Sequence, residues 1–272
     1  VLPSPAWLFC PGDRPDRFGK AAAAADAVIV DLEDGVGAER KAAARGNLGR
    51  ACEEVDPERL VVRVNAVGTP WFDDDMGAVA LAGVRTVMLP KVSGPADVEA
   101  VGELPVVALC ETAAGIRAAG DIAAVSSCVA LFWGSEDLVA DLGGTSPRDA
   151  AGRYWPAIEQ VRAGVLIAAR AAGRAALDGI HPDFSDEAGL AAEATAAAAL
   201  GFHATVCIHP SQVPVVRRAY LPTPAQVEWA RAVVAAAEDA AGTGARAVGG
   251  AMVDLPMVRR ARVVLSRAGG AL

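Results

Sequence analysis

Long apolar runs are missing from this sequence. Its 272 residues are 53% hydrophobic, yet no stretch approaches the roughly 20 consecutive apolar residues that a membrane helix requires. Alanine supplies the surplus, and alanine suits helix packing equally well. No charged, apolar, small-residue leader opens the chain, so nothing there reads as a secretion signal. Cysteine pairing is missing too. Cys10, Cys52, Cys110, Cys128 and Cys207 are odd in number and scattered. None forms a C-x-x-C pair, which leaves neither a zinc site nor a disulfide framework in view. A reduced, cytoplasmic protein is the expectation. There is no surplus of positive charge: 25 Lys and Arg against 33 Asp and Glu give a formal net charge of −8. A phosphate backbone needs clustered cations, so nucleic acid is set aside as a partner. Two catalytic signatures are also absent. No G-x-G-x-x-G follows the first strand-like run, and no G-x-S-x-G elbow or cysteine–histidine pairing points to a covalent nucleophile.

What is present is alternation. β-rich runs at Trp7–Cys10, Ala27–Asp34, Leu60–Asn65, Thr86–Lys91, Val106–Thr112, Val129–Asp137, Ala176–Ile180 and Ala204–Pro210 are separated by alanine-rich helical stretches. Strand–helix alternation implies parallel strands joined by crossover helices. Eight such units predict a closed (β/α)₈ TIM barrel, which needs about 250 residues as one domain. An open doubly wound sheet is the fallback. The barrel is expected over 1–241. A Gly- and Ala-rich connection at 242–250 should lead into a short C-terminal helical tail that reads as a lid, making 242–272 a separate piece.

The chemistry gathers where the runs end. Asp31, Glu33 and Asp34 close the second, Arg63 and Asn65 the third, and Lys91 the fourth. Glu111 closes the fifth, Gly134-Ser135-Glu136-Asp137 the sixth and His209 the eighth. In a barrel those carboxyl ends converge on one mouth. Strand alternation continues apolar faces into Glu111 and Asp137 on neighbouring strands. Two carboxylates at one mouth repel unless a cation or proton lies between them. With no His or Cys beside them, hard oxygen ligands favour Mg²⁺. Each acid taken alone reads more readily as the partner of a strand-end arginine; the pair favours the cation. Arg63 shares a face with Val61 and Asn65, and calls for an anion: a substrate carboxylate, a developing enolate or one of those acids. His209 could equally be a satisfied core histidine, and His181 and His203 receive no role.

These residues fall in a recognisable series. The segments Phe9–Pro15, Asp31–Val36, Val62–Asn65, Leu89–Lys91, Glu111–Ala113, Gly134–Leu138 and Ile208–Gln212 occur in order. The series resembles the citrate lyase β-subunit-like family, relatives of malyl-CoA and citramalyl-CoA lyases, from near residue 8 to about residue 260. The resemblance implies Mg²⁺ held by Glu111 and Asp137, with Gly134, Ser135 and Glu136 beside the substrate. Arg63 takes the anion-binding position, and Glu33 and Asp34 the surrounding acidic one. Arg14 and Lys20 match positions that touch coenzyme A phosphates, with Ile208 and His209 near its thioester arm. Met252–Pro256 is similar to the segment bearing the family's acid/base, here Asp254. The implied activity is cleavage of a β-hydroxyacyl-CoA to acetyl-CoA and a 2-oxo acid, pyruvate first and then glyoxylate or oxaloacetate. A homotrimer or dimer of trimers is implied as the assembly. A citrate lyase β subunit acting on a carrier-bound thioester, and a catalytically silent CoA-binding protein, are the alternatives. The sequence departs from its relatives at His203-Ala204-Thr205, where they carry Gly-Lys.

Overall fold

The computed structural model describes residues 2, 5–239, 247–248 and 251–269. The eight expected strands all form, and each pairs in parallel with its sequence neighbours until the last meets the first. They are β1 (Ala6–Pro11), β2 (Ala27–Asp31), β3 (Leu60–Arg63), β4 (Val87–Leu89), β5 (Val106–Cys110), β6 (Cys128–Trp133), β7 (Ala175–Asp178) and β8 (Ala204–Cys207). The closed (β/α)₈ barrel expected from the sequence is therefore the fold. Period-2 alternation fills its interior. Trp7, Ile29, Val61, Met88, Val107, Leu109, Phe132, Leu177 and Val206 form one buried cluster, each large apolar side chain contributing roughly 1.5–3 kcal/mol by leaving water.

Most strands end earlier than their sequence runs, because the runs include the loops that build the mouth. The difference matters at β6. The run Val129–Asp137 is extended only to Trp133, and a helix begins at Ser135 and ends at Asp141. Acidic residues in a first turn suit the helix N-terminus, and Glu136 and Asp137 lie there. The inward face of β6 is Ala130 and Phe132, while Trp133 points outward to the helix layer. The expectation that Asp137 extends a strand face is corrected: it reaches the mouth on a helical turn.

The described residues up to 216 form one compact unit and those from 217 to 269 a second. In the second, the helices Pro224–Asp239 and Leu255–Ala268 bury Ala230, Val233, Val258 and Ala261 against each other. The C-terminal unit thus begins before residue 242, since the helix Pro224–Asp239 packs with the last helix. The expected connection at 242–250 lies outside the described residues except for 247–248. That pair forms a two-residue antiparallel ladder with Ala251–Met252. Among the described residues no helix is long and apolar enough to cross a membrane.

Candidate active site at the barrel mouth

Three inward-facing positions carry charge where the apolar interior ends. Asp31 follows Ala27 and Ile29 on β2, Arg63 follows Val61 on β3, and Glu111 follows Val107 and Leu109 just past β5. Arg63 Nε and Nη2 each donate to one Asp31 oxygen at 2.7 Å. Its guanidinium lies over the Phe9 ring, 4.5 Å from the centroid. Burial alone would lower the Arg63 pKa, but Asp31, Glu33 and Glu111 outweigh it and raise the value. Asp31 is itself fixed, accepting from the Glu33 and Gly35 amides at 2.9 and 2.8 Å. Arg63 is therefore paired with an acid, one of the anions expected for it, and it also lines the open cleft described below.

The acidic loop after β2 is held from below by a residue that the sequence reading passed over. Buried Lys41 donates to the Leu32 and Glu33 carbonyls and to Asn65 Oδ1 at 2.8, 3.0 and 2.7 Å. Glu33 Oε2 is buried and makes no hydrogen bond, although Arg63 Nη1 lies 3.2 Å away. Burial pushes the Glu33 carboxyl above its ordinary range. Lys91 was also missed as a site residue. Its ammonium bonds to Glu33 and Asp34 and lies 3.8 Å from Asp137.

Glu111 is the most perturbed carboxyl at the mouth, pushed up to about 8. Burial is the largest cause, followed by the charges of Asp137 and Glu33. A hydrogen bond from the Lys91 amide, 3.0 Å away, opposes them only in part. Gly134 makes room for this carboxylate, since a β-carbon there would sit 2.8 Å from Glu111 Oε2. Buried Ser135 donates to Glu136 Oε1 at 3.2 Å.

This donor set fits a hard divalent cation. Asp31, Glu33, Asp34, Glu111 and Asp137 outnumber the facing cations Arg63 and Lys91. Among the described residues no three Asp, Glu, His or Cys side chains form a complete cage. Mg²⁺ is commonly bound by one or two carboxylates with waters completing its shell, which suits Glu111 and Asp137.

Beside the acids opens a cleft of about 690 Å³. Arg14, Arg17 and Lys20 line one side, Ile208 and His209 another, and Asp31 and Arg63 join it to the mouth. Arg14 is forked onto Asp16 at 3.2 and 3.3 Å. His209 stacks on Phe184, with ring centroids 4.9 Å apart, and its Nδ1 pairs with the Ser211 hydroxyl at 2.7 Å. Arg17 was not singled out from the sequence. The Arg14 match alone could have suggested it, three residues along the same short helical turn. Asp254 stands in the C-terminal unit, exposed, and its carboxylate caps the last helix by accepting the Met257 amide at 2.8 Å.

A model of the HpcH/HpaI aldolase/citrate lyase family matches residues 6–210. The chain belongs to this family. It is similar to the citrate lyase subunit beta-like protein of Mycobacterium tuberculosis, 51% identical over 98% of this chain and 96% of that one. A (3S)-malyl-CoA thioesterase of Cereibacter sphaeroides is 37% identical over 96% and 93%. The crystal structure of the M. tuberculosis protein CitE in complex with magnesium, acetoacetate and coenzyme A superimposes with a TM-score of 0.93. It is 51% identical, over 98% of both chains.

Proposed function

We propose that this protein is a Mg²⁺-dependent carbon–carbon lyase that cleaves a β-hydroxyacyl-CoA of the citramalyl-CoA or malyl-CoA type to acetyl-CoA and a 2-oxo acid. The observation that carries this reading is the junction of two fields at one mouth. An excess of carboxylates around Glu111 and Asp137 meets, at Asp31 and Arg63, a cleft lined by Arg14, Arg17 and Lys20. The complex of CitE with magnesium, acetoacetate and coenzyme A supports it.

Glu111 and Asp137 would hold the cation. When bound it supplies Lewis-acid polarisation of a substrate oxygen. Arg14, Arg17 and Lys20 would bind the coenzyme's phosphates, while Ile208 and His209 flank its arm. Arg63, kept rigid by Asp31 and by the Phe9 ring, would hold the oxygen that becomes negative, so that little reorganisation accompanies the charge. Cleavage removes the hydroxyl proton, breaks the C–C bond and leaves its electron pair on the acetyl-CoA enolate. A proton then reaches the enolate carbon. Asp254 is proposed to move that proton, a role supported by the Met252–Pro256 resemblance.

Hydrolysis is a second reading, favoured by the thioesterase relative. Incubating the purified chain with Mg²⁺ and malyl-, citramalyl- or citryl-CoA separates the two. A lyase releases acetyl-CoA and a free 2-oxo acid; a thioesterase releases a titratable CoA thiol and the intact hydroxy acid. No product of either kind, with Mg²⁺ supplied, would overturn the proposed activity.

A further inference from the structure

Lys91 is the single non-glycine residue with a left-handed backbone among the described residues, at φ +53°. Side chains with a β-carbon disfavour that region, and such strain persists only where the surroundings impose it. Three contacts impose it here. The Lys91 amide donates to Glu111 Oε1 at 3.0 Å, and the Val92 amide donates to the Leu109 carbonyl at 3.2 Å. The Val92 carbonyl is pressed against Gly115, where a β-carbon would stand 2.0 Å from its oxygen. The outcome is a long cationic side chain turned across the mouth. It reaches Glu33 and Asp34 by hydrogen bonds and Asp137 at 3.8 Å. The same backbone that holds Glu111 thus delivers an ammonium to the carboxylates opposite.

We propose that Lys91 is a tethered counter-ion that competes with a divalent cation for the carboxylates of the mouth and so sets the affinity of that site. The proposal rests on the cation reading given above. A cation drawn to Asp137 and Glu111 meets the Lys91 charge within contact range, and must displace or tolerate it. Without this ammonium the same carboxylates would hold a divalent cation more tightly. The side chain is about one-third exposed, so solvent screens the effect to an expected gain of about tenfold in affinity. A purely structural lysine would act the other way, since its loss would loosen the acids and weaken binding.

The test is calorimetric titration of the full chain with Mg²⁺ alone, at fixed ionic strength. Lys91→Met should bind about tenfold more tightly than the wild type, and Lys91→Arg, which keeps the charge, within about threefold of it. Lys91→Gly removes the same charge at a backbone position that glycine favours, so it provides the reading if the Met variant does not fold. Tightening in the uncharged variants but not in Lys91→Arg supports the proposal. Mg²⁺ binding by the wild type with equal or weaker binding by the uncharged variants overturns it and leaves the cation site standing. Failure of the wild type and of every variant to bind Mg²⁺ overturns the proposal together with the cation reading beneath it.

Discussion

Two buried carboxylates sit at the carboxyl ends of barrel strands and live in opposite circumstances. Asp178, at the end of β7, faces outward into the helix layer. Arg162 grips it from the helix Pro156–Ala171 through two hydrogen bonds of 2.9 and 2.7 Å, and Trp133 Nε1 adds a third at 2.9 Å. Glu111, past the end of β5, faces inward, where it receives one backbone amide and, among the described residues, no direct cation. Both are almost wholly buried, at 4% and 3% exposure. A buried charge that is fully paired ties strand to helix. One left short of partners stores unfavourable energy that a ligand can release. The difference follows from alternation: outward positions meet helix side chains, whereas inward ones above the last apolar layer meet one another.

The sharpest break in that comparison is catalytic. Glu111→Gln or Asp137→Asn should lower kcat by at least about 1000-fold, equivalent to about 4 kcal/mol of barrier. The thermal midpoint of Glu111→Gln in chelator should not fall, because among the described residues Glu111 has no ion pair to lose. Product assays with matched melting curves check both halves. Asp178→Ala should do the reverse. Stranding Arg162 without its partner should cost about 3–5 kcal/mol in urea unfolding, with turnover per folded molecule changed far less. Arg63→Ala is intermediate. It should remove most activity and also cost about 2 kcal/mol, less than Asp178→Ala because Asp31 keeps its two amide donors. Trp133→Phe should show the smallest effect, about 1 kcal/mol of stability for one lost hydrogen bond, with kcat unaltered.

The eight strands were legible because parallel strands buried on both faces read as short β-branched runs broken by alanine-rich helices. The same double burial hid which face of β6 turns inward, since Leu131 and Trp133 are as apolar as Ala130 and Phe132. Apolar alternation therefore runs on past Gly134 into what is a helix, although Glu136 and Asp137 are ordinary first-turn acids. Glu33, Arg63 and Glu111 were legible as strand-end charges. The Asp31 clamp on Arg63 was not, because pairing across strands depends on register. Lys91 stood in plain view in Leu89-Pro90-Lys91, yet its direction comes from a backbone angle that composition does not encode. His181 received no role from the sequence. The structure buries it between Glu193 and Asp186, at 3.0 and 3.2 Å.

That Glu111 is held short of partners can be measured without substrate or metal. Burial and the charges of Asp137 and Glu33 push its carboxyl up to about 8 in the folded chain, from an ordinary value of 4.5. Between those values the folded state retains a proton that the unfolded state has released, so the wild type loses stability as pH rises. Gln carries no such proton. In chelator, the unfolding free energy of Glu111→Gln minus that of the wild type should therefore grow steadily from pH 4.5 to 8 and level off above. A difference that stays flat across this window, or shrinks, would contradict an unpaired carboxylate at the centre of the mouth.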